Sequence, residues 1–461
     1  MASLKIEHAR CVLTVDADRR VLADATLIID GQRISHVGPA AELATLPAER
    51  TIDGSRFVVT PALVNGHIHI SYAHAVRGIF PDDVVGLQRL REVFRLQSMM
   101  TEDEEYATSL LALTELVKTG TLTLVDPGTT RYLDACLQAY ADSGCRIITG
   151  TQVTDAEAAV EGNLPCYETA EALRRTERFI TTYHGQLDGR VHAWAMPFSP
   201  ALCSAELLAG CKRLADEHGT GLTFHHQSGA GLREQYAERP GGSPTAYLEA
   251  IGALGPNVLL AHAPGIDNGE VEVIARSGAS VVICPSTTQK EAQGIRHRPL
   301  RAMLERGVAV AMGNDSANSS NYLDGVRTMN ANAVAYKDAY EDASRVPAEE
   351  AVEMATLTGA RAVGLADQIG SIEIGKKADL VLFDTRRAEW SALFDPVNNL
   401  VYSADGHSVH TVIADGRIVV EDFRPLFVDE GRLCQQVQEL GERLLARAGV
   451  DRIRGRWPLT S

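Results

Sequence analysis

Two histidines lie two residues apart at the end of an apolar run, in the stretch PALVNGHIHI at residues 61–70. Residues i and i+2 of a strand lie on the same face, so His67 and His69 can point toward one place if the run Val58 to Val64 begins a strand. Two converging imidazoles indicate a metal site. A pair of surface or capped histidines is the alternative, and the rest of the chain has to decide between the two.

Further polar side chains end other apolar runs. His225 and His226 follow GLTF, His262 follows NVLLA, and Asp315 follows VAVAMGN. In a closed parallel barrel the carboxyl ends of the strands meet at one mouth. We therefore expect imidazoles and a carboxylate from several strands to gather there.

This set of side chains suits one divalent metal ion. The imidazoles of His67, His69 and His225, with the carboxylate of Asp315, leave a coordination position for water, whose pKa a bound Zn²⁺ lowers to ~7. Zn²⁺ is the leading expectation, with Co²⁺, Mn²⁺ or Fe²⁺ as alternatives, because a His/Asp site accepts all of them. Asp315 can also take the proton of the attacking water. His262 is better suited to proton donation or to hydrogen bonding in the transition state than to a further ligand position.

The elements that would position these residues alternate between helix and strand. From about residue 100, amphipathic runs such as EEYATSLLALTELVKTG precede short β-branched runs such as TLTLVD. This repeat predicts an α/β fold, a (β/α)8 TIM barrel with covered faces.

Strand-like runs also occupy both ends of the chain, with hairpin signals at Asp30-Gly31 and Asp415-Gly416. We predict a small β-sandwich domain formed by residues 1–60 and 368–430. The barrel then spans residues 61–367, and residues 431–461 form a C-terminal helical extension.

Composition and net charge limit the kinds of partner that the protein is expected to bind. The formal net charge of −16 over 461 residues argues against nucleic acid and anionic membranes as partners. No apolar run reaches the ~18 residues of a membrane span, and the first residues lack a secretory pattern. Eight scattered cysteines without a CxxC motif are typical of a reducing compartment. We expect a cytoplasmic protein that acts on a small molecule and water.

Taken together, the motifs identify the chain as a member of the amidohydrolase superfamily, in the branch of the s-triazine hydrolases and guanine deaminase. PALVNGHIHI resembles the first-strand motif of that family, AHAPGID its sixth-strand histidine and GNDSANSSN its eighth-strand aspartate. The resemblance implies a barrel with a β-sandwich and a homo-oligomer. It also implies metal-binding roles for His67, His69, His225 and Asp315.

One position departs from the family pattern. Members that deaminate heteroaromatic rings usually carry a glutamate three residues after the fifth-strand histidine, where it moves a proton to the ring nitrogen. HHQSGAG places Ser228 there, or Gly229 if His226 is the ligand. Ring deamination therefore lacks its expected proton donor.

The departure favours a neutral carbonyl substrate. The leading interpretation is hydrolysis of a C–N bond in an amide, urea, carbamate or thiocarbamate, as in family members that degrade xenobiotics such as phenylurea and thiocarbamate herbicides. The alternative is an aminohydrolase or dechlorinase acting on an s-triazine, purine or pyrimidine ring, and a scaffold that has lost catalysis is a third hypothesis. The candidate substrate-binding residues are His74, Arg77, Phe80, His226, Gln227, Ser228 and Asn318.

Overall fold

The computed structural model describes residues 2–71, 74–84, 86–161, 164–228, 230–295 and 299–450. Its first five strands come from the N-terminal end of the chain. They are β1 (Ala2–Leu13), β2 (Val21–Asp30), β3 (Arg33–Pro39), β4 (Ala48–Asp53) and β5 (Phe57–Pro61). The predicted turn at Asp30-Gly31 joins β2 and β3, which pair antiparallel, and Gly31 adopts a positive φ of 56°.

The central part of the chain supplies short strands, most of them buried. They are β6 (Leu63–Asn65), β7 (Ile68–His69), β8 (Thr121–Val125), β9 (Arg146–Thr149), β10 (Gln152–Val153), β11 (Val191–Ala193), β12 (Met196–Pro197), β13 (Leu222–His226), β14 (Val258–His262), β15 (Ser280–Ile283), β16 (Val310–Met312) and β17 (Asp315–Ser316).

Eight of these central strands form two parallel four-stranded sheets, in the orders β11-β9-β8-β6 and β13-β14-β15-β16. Backbone hydrogen bonds connect the two sheets on both sides. On one side the Ala195 amide donates to the Gly221 carbonyl at 3.0 Å, and on the other the Gly66 amide donates to the Met312 carbonyl at 2.8 Å. The carboxyl ends of both sheets therefore face a common region.

The C-terminal end of the chain returns to the N-terminal sheet. Its strands are β18 (Leu380–Asp384), β19 (Val409–Ala414), β20 (Arg417–Glu421) and β21 (Arg424–Pro425). Strand β18 pairs antiparallel with β5, so that both chain ends share one nine-stranded sheet. The second predicted turn, at Asp415-Gly416, joins β19 to β20.

The run Val58 to Val64, treated above as one strand, is divided between the two regions. Strand β5 ends at Pro61 and belongs to the nine-stranded sheet, whereas β6 begins at Leu63. Pro61 has no amide proton to continue the ladder. The amide of Ala62 donates instead to Asp379, and that of Leu63 donates to Gly120.

Helices surround the central sheets. They are α1 (Ala40–Leu43), α2 (Gly86–Ser98), α3 (Glu102–Lys118), α4 (Leu133–Ser143), α5 (Ala158–Glu161), α6 (Thr169–Tyr183), α7 (Gln186–Gly189), α8 (Ala205–Glu217), α9 (Ala230–Tyr236), α10 (Pro244–Ala250), α11 (Asn268–Ser277), α12 (Pro285–Lys290), α13 (Leu300–Glu305), α14 (Gly325–Tyr340), α15 (Ala348–Ala355), α16 (Leu357–Ala362), α17 (Pro396–Asn398) and α18 (Glu430–Arg447). Within the described ranges, none is both long and apolar enough to cross a bilayer.

Local sequence explains several helix ends. Thr101 and Glu104 form a capping box at the start of α3, and Asp267 and Glu270 form another at the start of α11. The last helix, α18, begins at Glu430, one residue before the predicted C-terminal extension, of which residues 451–461 fall outside the described part of the chain.

Candidate metal centre

The structure brings five of the sequence-predicted side chains together: His67, His69, His225, His262 and Asp315. His67 lies at the centre of the group. Its ring centroid is 4.9 Å from that of His69, 5.0 Å from that of His225 and 4.6 Å from that of His262. Strands that are distant in sequence therefore deliver these imidazoles to one place, as the barrel argument predicts.

Two groups of three within this cluster have the spacing of metal ligands. One is His67, His225 and His262, and the other is His67, His69 and Asp315. In each group the potential ligand atoms all lie within 4.8 Å of one another. His67 belongs to both groups, and His262 has the geometry of a ligand as well as of a hydrogen-bond donor.

His67 is fully buried, at 0% exposure, and within the described residues neither of its ring nitrogens has a hydrogen-bond partner. A buried polar atom without a partner is costly, so the ring is expected to serve a bound group. Burial, followed by the charges of His262, His69 and His225, holds the pKa of His67 well below its usual value. The imidazole is therefore neutral at pH 7 and can offer a lone pair to a metal ion.

Asp315 closes the other side of the cluster. Its Oδ1 lies 3.8 Å from Nε2 of His67 and 3.5 Å from Nε2 of His69. Strand β17 pairs with β7, and the Asp315 amide donates to the His67 carbonyl at 3.0 Å. Asp315 has a φ of 66° and His262 a φ of 69°, in the left-handed region that non-glycine residues avoid. Burial raises the pKa of Asp315 to about 7.

The outer nitrogens of two imidazoles are already engaged. Nδ1 of His225 donates to the Phe198 carbonyl at 3.0 Å, which leaves Nε2 for the cluster. Nδ1 of His69 is hydrogen-bonded to Oγ1 of Thr129 at 3.3 Å, and that hydroxyl donates to Asp126 at 3.2 Å. Asp126 thus orients His69 through Thr129 rather than lying in the cluster.

Comparisons with known proteins agree with this geometry. The profile of the amidohydrolase family matches residues 58–419. The chain belongs to the amidohydrolase family. A relative named 5'-deoxyadenosine deaminase, from Methanosarcina acetivorans, is 31% identical to it over 451 residues, which cover 98% of this chain and 100% of the relative.

Two solved structures are similar to this amidohydrolase over nearly their whole length. A zinc-bound adenosine deaminase from Xanthomonas campestris has a TM-score of 0.85 and 25% identity, covering 96% of this chain and 99% of its own. The atrazine chlorohydrolase of Arthrobacter aurescens, complexed with zinc, has a TM-score of 0.85 and 24% identity, covering 95% and 100%. The second likeness supports a TIM-barrel-type fold. As an amidohydrolase, the protein is a metal-dependent hydrolase of carbon–nitrogen bonds.

Ser228, the position that departs from the family pattern, is buried, and its hydroxyl is hydrogen-bonded within the protein. Oγ lies 3.1 and 2.9 Å from the two carboxylate oxygens of Glu270 and donates to them. Glu270 also accepts from Arg233 at 3.0 Å and from the Thr245 amide at 3.2 Å. The Ser228 hydroxyl of this amidohydrolase therefore donates its only proton to the Glu270 carboxylate. Gly229 lies outside the described residues.

His74 and Arg77 lie apart from the cluster. Both pair with Glu115 of α3, the His74 contact being 3.1 Å, and these interactions bring the pKa of Glu115 down to about 2 against the opposing effect of burial. With residues of α18 such as Val437 they line a cleft of about 760 Å³ whose lining includes none of the five clustered residues.

The remaining predicted substrate-binding residues are scattered. Phe80 packs half-buried against the core, and Gln227 is exposed. His226 is buried on the other side of β13, where Nε2 is hydrogen-bonded to Thr245 at 2.9 Å. Asn318 is buried and its Oδ1 accepts from the Ser316 hydroxyl at 2.6 Å.

Sequence reasoning missed three charged residues around the site. Arg89 and Glu291 form a buried ion pair close to Asp315, and Glu270 holds Ser228. One sequence pattern indicated a role for Glu270, because DNGE at residues 267–270 is typical of a helix start with a capping box. The Arg89–Glu291 ion pair joins residues that are 202 positions apart in the sequence (291 − 89), and no local sequence pattern predicts it.

Proposed function

We propose that this amidohydrolase is an aminohydrolase that removes an amino group from a heteroaromatic ring, with 6-aminopurine nucleosides as the leading substrate class. The hydrolytic part of this proposal rests on the cluster of histidines and Asp315. In this cluster His67 belongs to two groups of potential metal ligands. The relative named 5'-deoxyadenosine deaminase and the neighbour named adenosine deaminase support the ring substrate. They favour the alternative hypothesis drawn from the sequence, a ring aminohydrolase, over the leading one.

The metal ligands that we propose are His67, His69, His225 and Asp315, around one divalent ion that is Zn²⁺ in preference to Co²⁺, Mn²⁺ or Fe²⁺. Neutral imidazoles and a carboxylate suit such an ion, and the unpartnered nitrogens of His67 support the fit. When bound, the ion supplies Lewis acidity and lowers the pKa of water so that hydroxide is available near neutral pH.

The protein side chains then move protons and hold the reacting groups. The reaction consumes a ring amino group and water, and it yields a ring oxo group, a proton on the ring nitrogen and ammonia. The carboxylate of Asp315 takes the two protons of the water in turn, and it passes the first to the ring nitrogen and the second to the departing amino nitrogen. The imidazole of His262 donates a hydrogen bond to the incoming oxygen.

Protonation of the ring nitrogen does not come from Ser228 in this proposal. Its hydroxyl proton lies against Glu270, and four donors, including Arg233, keep that carboxylate charged. Asp315 is therefore the acid that remains, because it can return to the ring nitrogen the first proton that it takes from the water.

The hydrogen bond from Ser228 to Glu270 also favours the carbonyl hypothesis. Hydrolysis of an amide, urea, carbamate or thiocarbamate does not require protonation of a ring nitrogen. A xenobiotic of that class is the second candidate substrate. The two classes release different products, which makes them separable in a single experiment.

The wider architecture belongs to the same proposal. We propose that the two four-stranded sheets close into one (β/α)8 barrel over residues 61–367, and that residues 1–60 and 368–430 form the β-sandwich. The C-terminal extension begins near residue 431. A cytoplasmic homo-oligomer that works on a small molecule completes the proposal.

The test is product release by zinc-loaded protein over a matched panel. Ammonia from 5'-deoxyadenosine or adenosine, lost on chelation and restored by zinc, is the expected result. Amine release from ureas or carbamates, with no ammonia from any aminopurine, aminopyrimidine or aminotriazine, would overturn the ring proposal in favour of the carbonyl one. An Asp315→Asn protein serves as the inactive control.

A further inference from the structure

A buried ion pair lies beside the proposed metal site. Arg89 of α2 pairs with Glu291, which follows α12, and both side chains are 6% exposed. Taking two charges out of water is expensive, so a buried pair of this kind is seldom the most stabilising arrangement. Nε of Arg89 is buried without a hydrogen-bond partner in the described structure, which adds to that cost.

The pair is connected to the metal-binding carboxylate. Nη2 of Arg89 donates to Oγ of Ser319 at 3.1 Å, and that hydroxyl lies 3.0 Å from Oγ of Ser316, the neighbour of Asp315 in β17. The pair thus places one positive and one negative charge beside the strand that carries Asp315.

We propose that Arg89 and Glu291 form a charge-balanced positioning pair for the metal site. Arg89 holds the Ser319 hydroxyl against Ser316, the residue after Asp315, and Glu291 cancels the charge of Arg89 so that the site keeps its affinity for a divalent cation. Without Glu291, an uncompensated guanidinium would repel the ion through a medium of low dielectric constant. This inference rests on the metal site of the proposed function.

The test compares zinc affinities, measured by competition with a chelator, for the wild type, Glu291→Gln, Arg89→Gln and the double variant. Glu291→Gln should bind zinc about 10- to 100-fold more weakly, the range typical of residues that support metal ligands. The double variant should return to within about threefold of the wild type, because neither charge is left alone.

Arg89→Gln separates charge from positioning. It leaves the negative charge of Glu291 near the ion, so zinc affinity should not fall, whereas the turnover number should drop by about tenfold because Ser319 is released. The matched control is the exposed pair of Arg276 and Glu249, whose single and double Gln variants should leave both quantities unchanged.

Thermal unfolding of each variant confirms that the comparison concerns folded protein. Equal zinc affinity in the wild type and a folded Glu291→Gln protein would overturn the inference, as would a double variant as weak as Glu291→Gln. If Glu291→Gln alone does not fold, weak zinc binding by the double variant is the overturning result. A wild type that binds no divalent cation would overturn the proposed function itself.

Discussion

Among single residues, His67 gives the strongest evidence for a metal site. Both of its ring nitrogens are buried and unpartnered within the described structure, although other imidazoles surround it. A structural histidine in a core usually has at least one hydrogen bond. The arrangement is explained if a metal ion supplies the missing partner.

Replacing His67 with Ala should therefore remove bound zinc and lower ammonia release by more than about 100-fold, because even a partner outside the ligand set is worth about 10- to 100-fold. Metal analysis and steady-state kinetics measure the two effects. His36→Ala, at an exposed histidine, is the control. Normal zinc content in the His67 variant would contradict the ligand assignment.

Ser228 gives a second prediction at this scale. Its hydroxyl donates to Glu270, so Ser228→Ala should cost about 1 kcal/mol of stability and leave the turnover number within about threefold. Ser228→Glu should be less stable than Ser228→Ala, since it places a second carboxylate beside Glu270. A large loss of turnover in a stable Ser228→Ala protein would show that this hydroxyl acts on the substrate.

At the scale of elements, strand ends made most of the site predictable. A parallel barrel sends the carboxyl ends of its strands to one mouth, so the positions of His225, His262 and Asp315 after apolar runs were sufficient to predict the cluster. Contacts between distant segments were not predictable. The pairing of Arg89 with Glu291 depends on how α2 and α12 pack. The division of the strand at Pro61 depends on which carbonyl groups accept the amides of Ala62 and Leu63.

The junction between β9 and the nine-stranded sheet is held by buried charges. Arg146, at the start of β9, contacts Asp379 at 3.3 Å and Asp415 at 3.1 Å, and all three side chains are buried. Arg146→Ala leaves two carboxylates without their shared cation and should cost about 3 to 5 kcal/mol of unfolding free energy.

Denaturant unfolding measures that loss, and zinc content at low temperature should be unchanged because Arg146 lies outside the cluster. The exposed Arg174, whose ion pair with Glu171 is largely solvated, is the comparison. Arg174→Ala should cost less than about 1 kcal/mol. Equal losses in the two variants would contradict the role of the buried junction.

At the scale of the whole molecule, buried neutral histidines set the response to acid. Burial lowers the pKa of His225, His226 and His192 to about 4, and it holds those of His67 and His69 well below their usual value. In the unfolded chain these groups titrate near 6.5, so their contribution to stability is complete above that pH and is lost as the pH falls toward 4.

Some carboxyls oppose this trend, because burial raises the pKa of Asp126 to about 6 and that of Asp315 to about 7. Burial also raises the pKa values of Glu105, Asp324, Glu350 and Asp379. Protonation of these groups favours the folded state as the pH falls. Burial also lowers the pKa values of His74 and His410, so that within the described residues seven histidines act against six carboxyls. The metal-free protein should therefore unfold at a lower temperature at pH 4.5 than at pH 6.5. A higher unfolding temperature at pH 4.5 would contradict this assignment of charges.

We expect one metal ion at the histidine cluster to drive ring deamination. Titrating zinc into metal-free protein while measuring ammonia release from 5'-deoxyadenosine tests this expectation. We predict no release without zinc and full activity at about one ion per chain, the number that a single-metal site requires. Activity that is independent of zinc, or no ammonia from zinc-loaded protein, would contradict it.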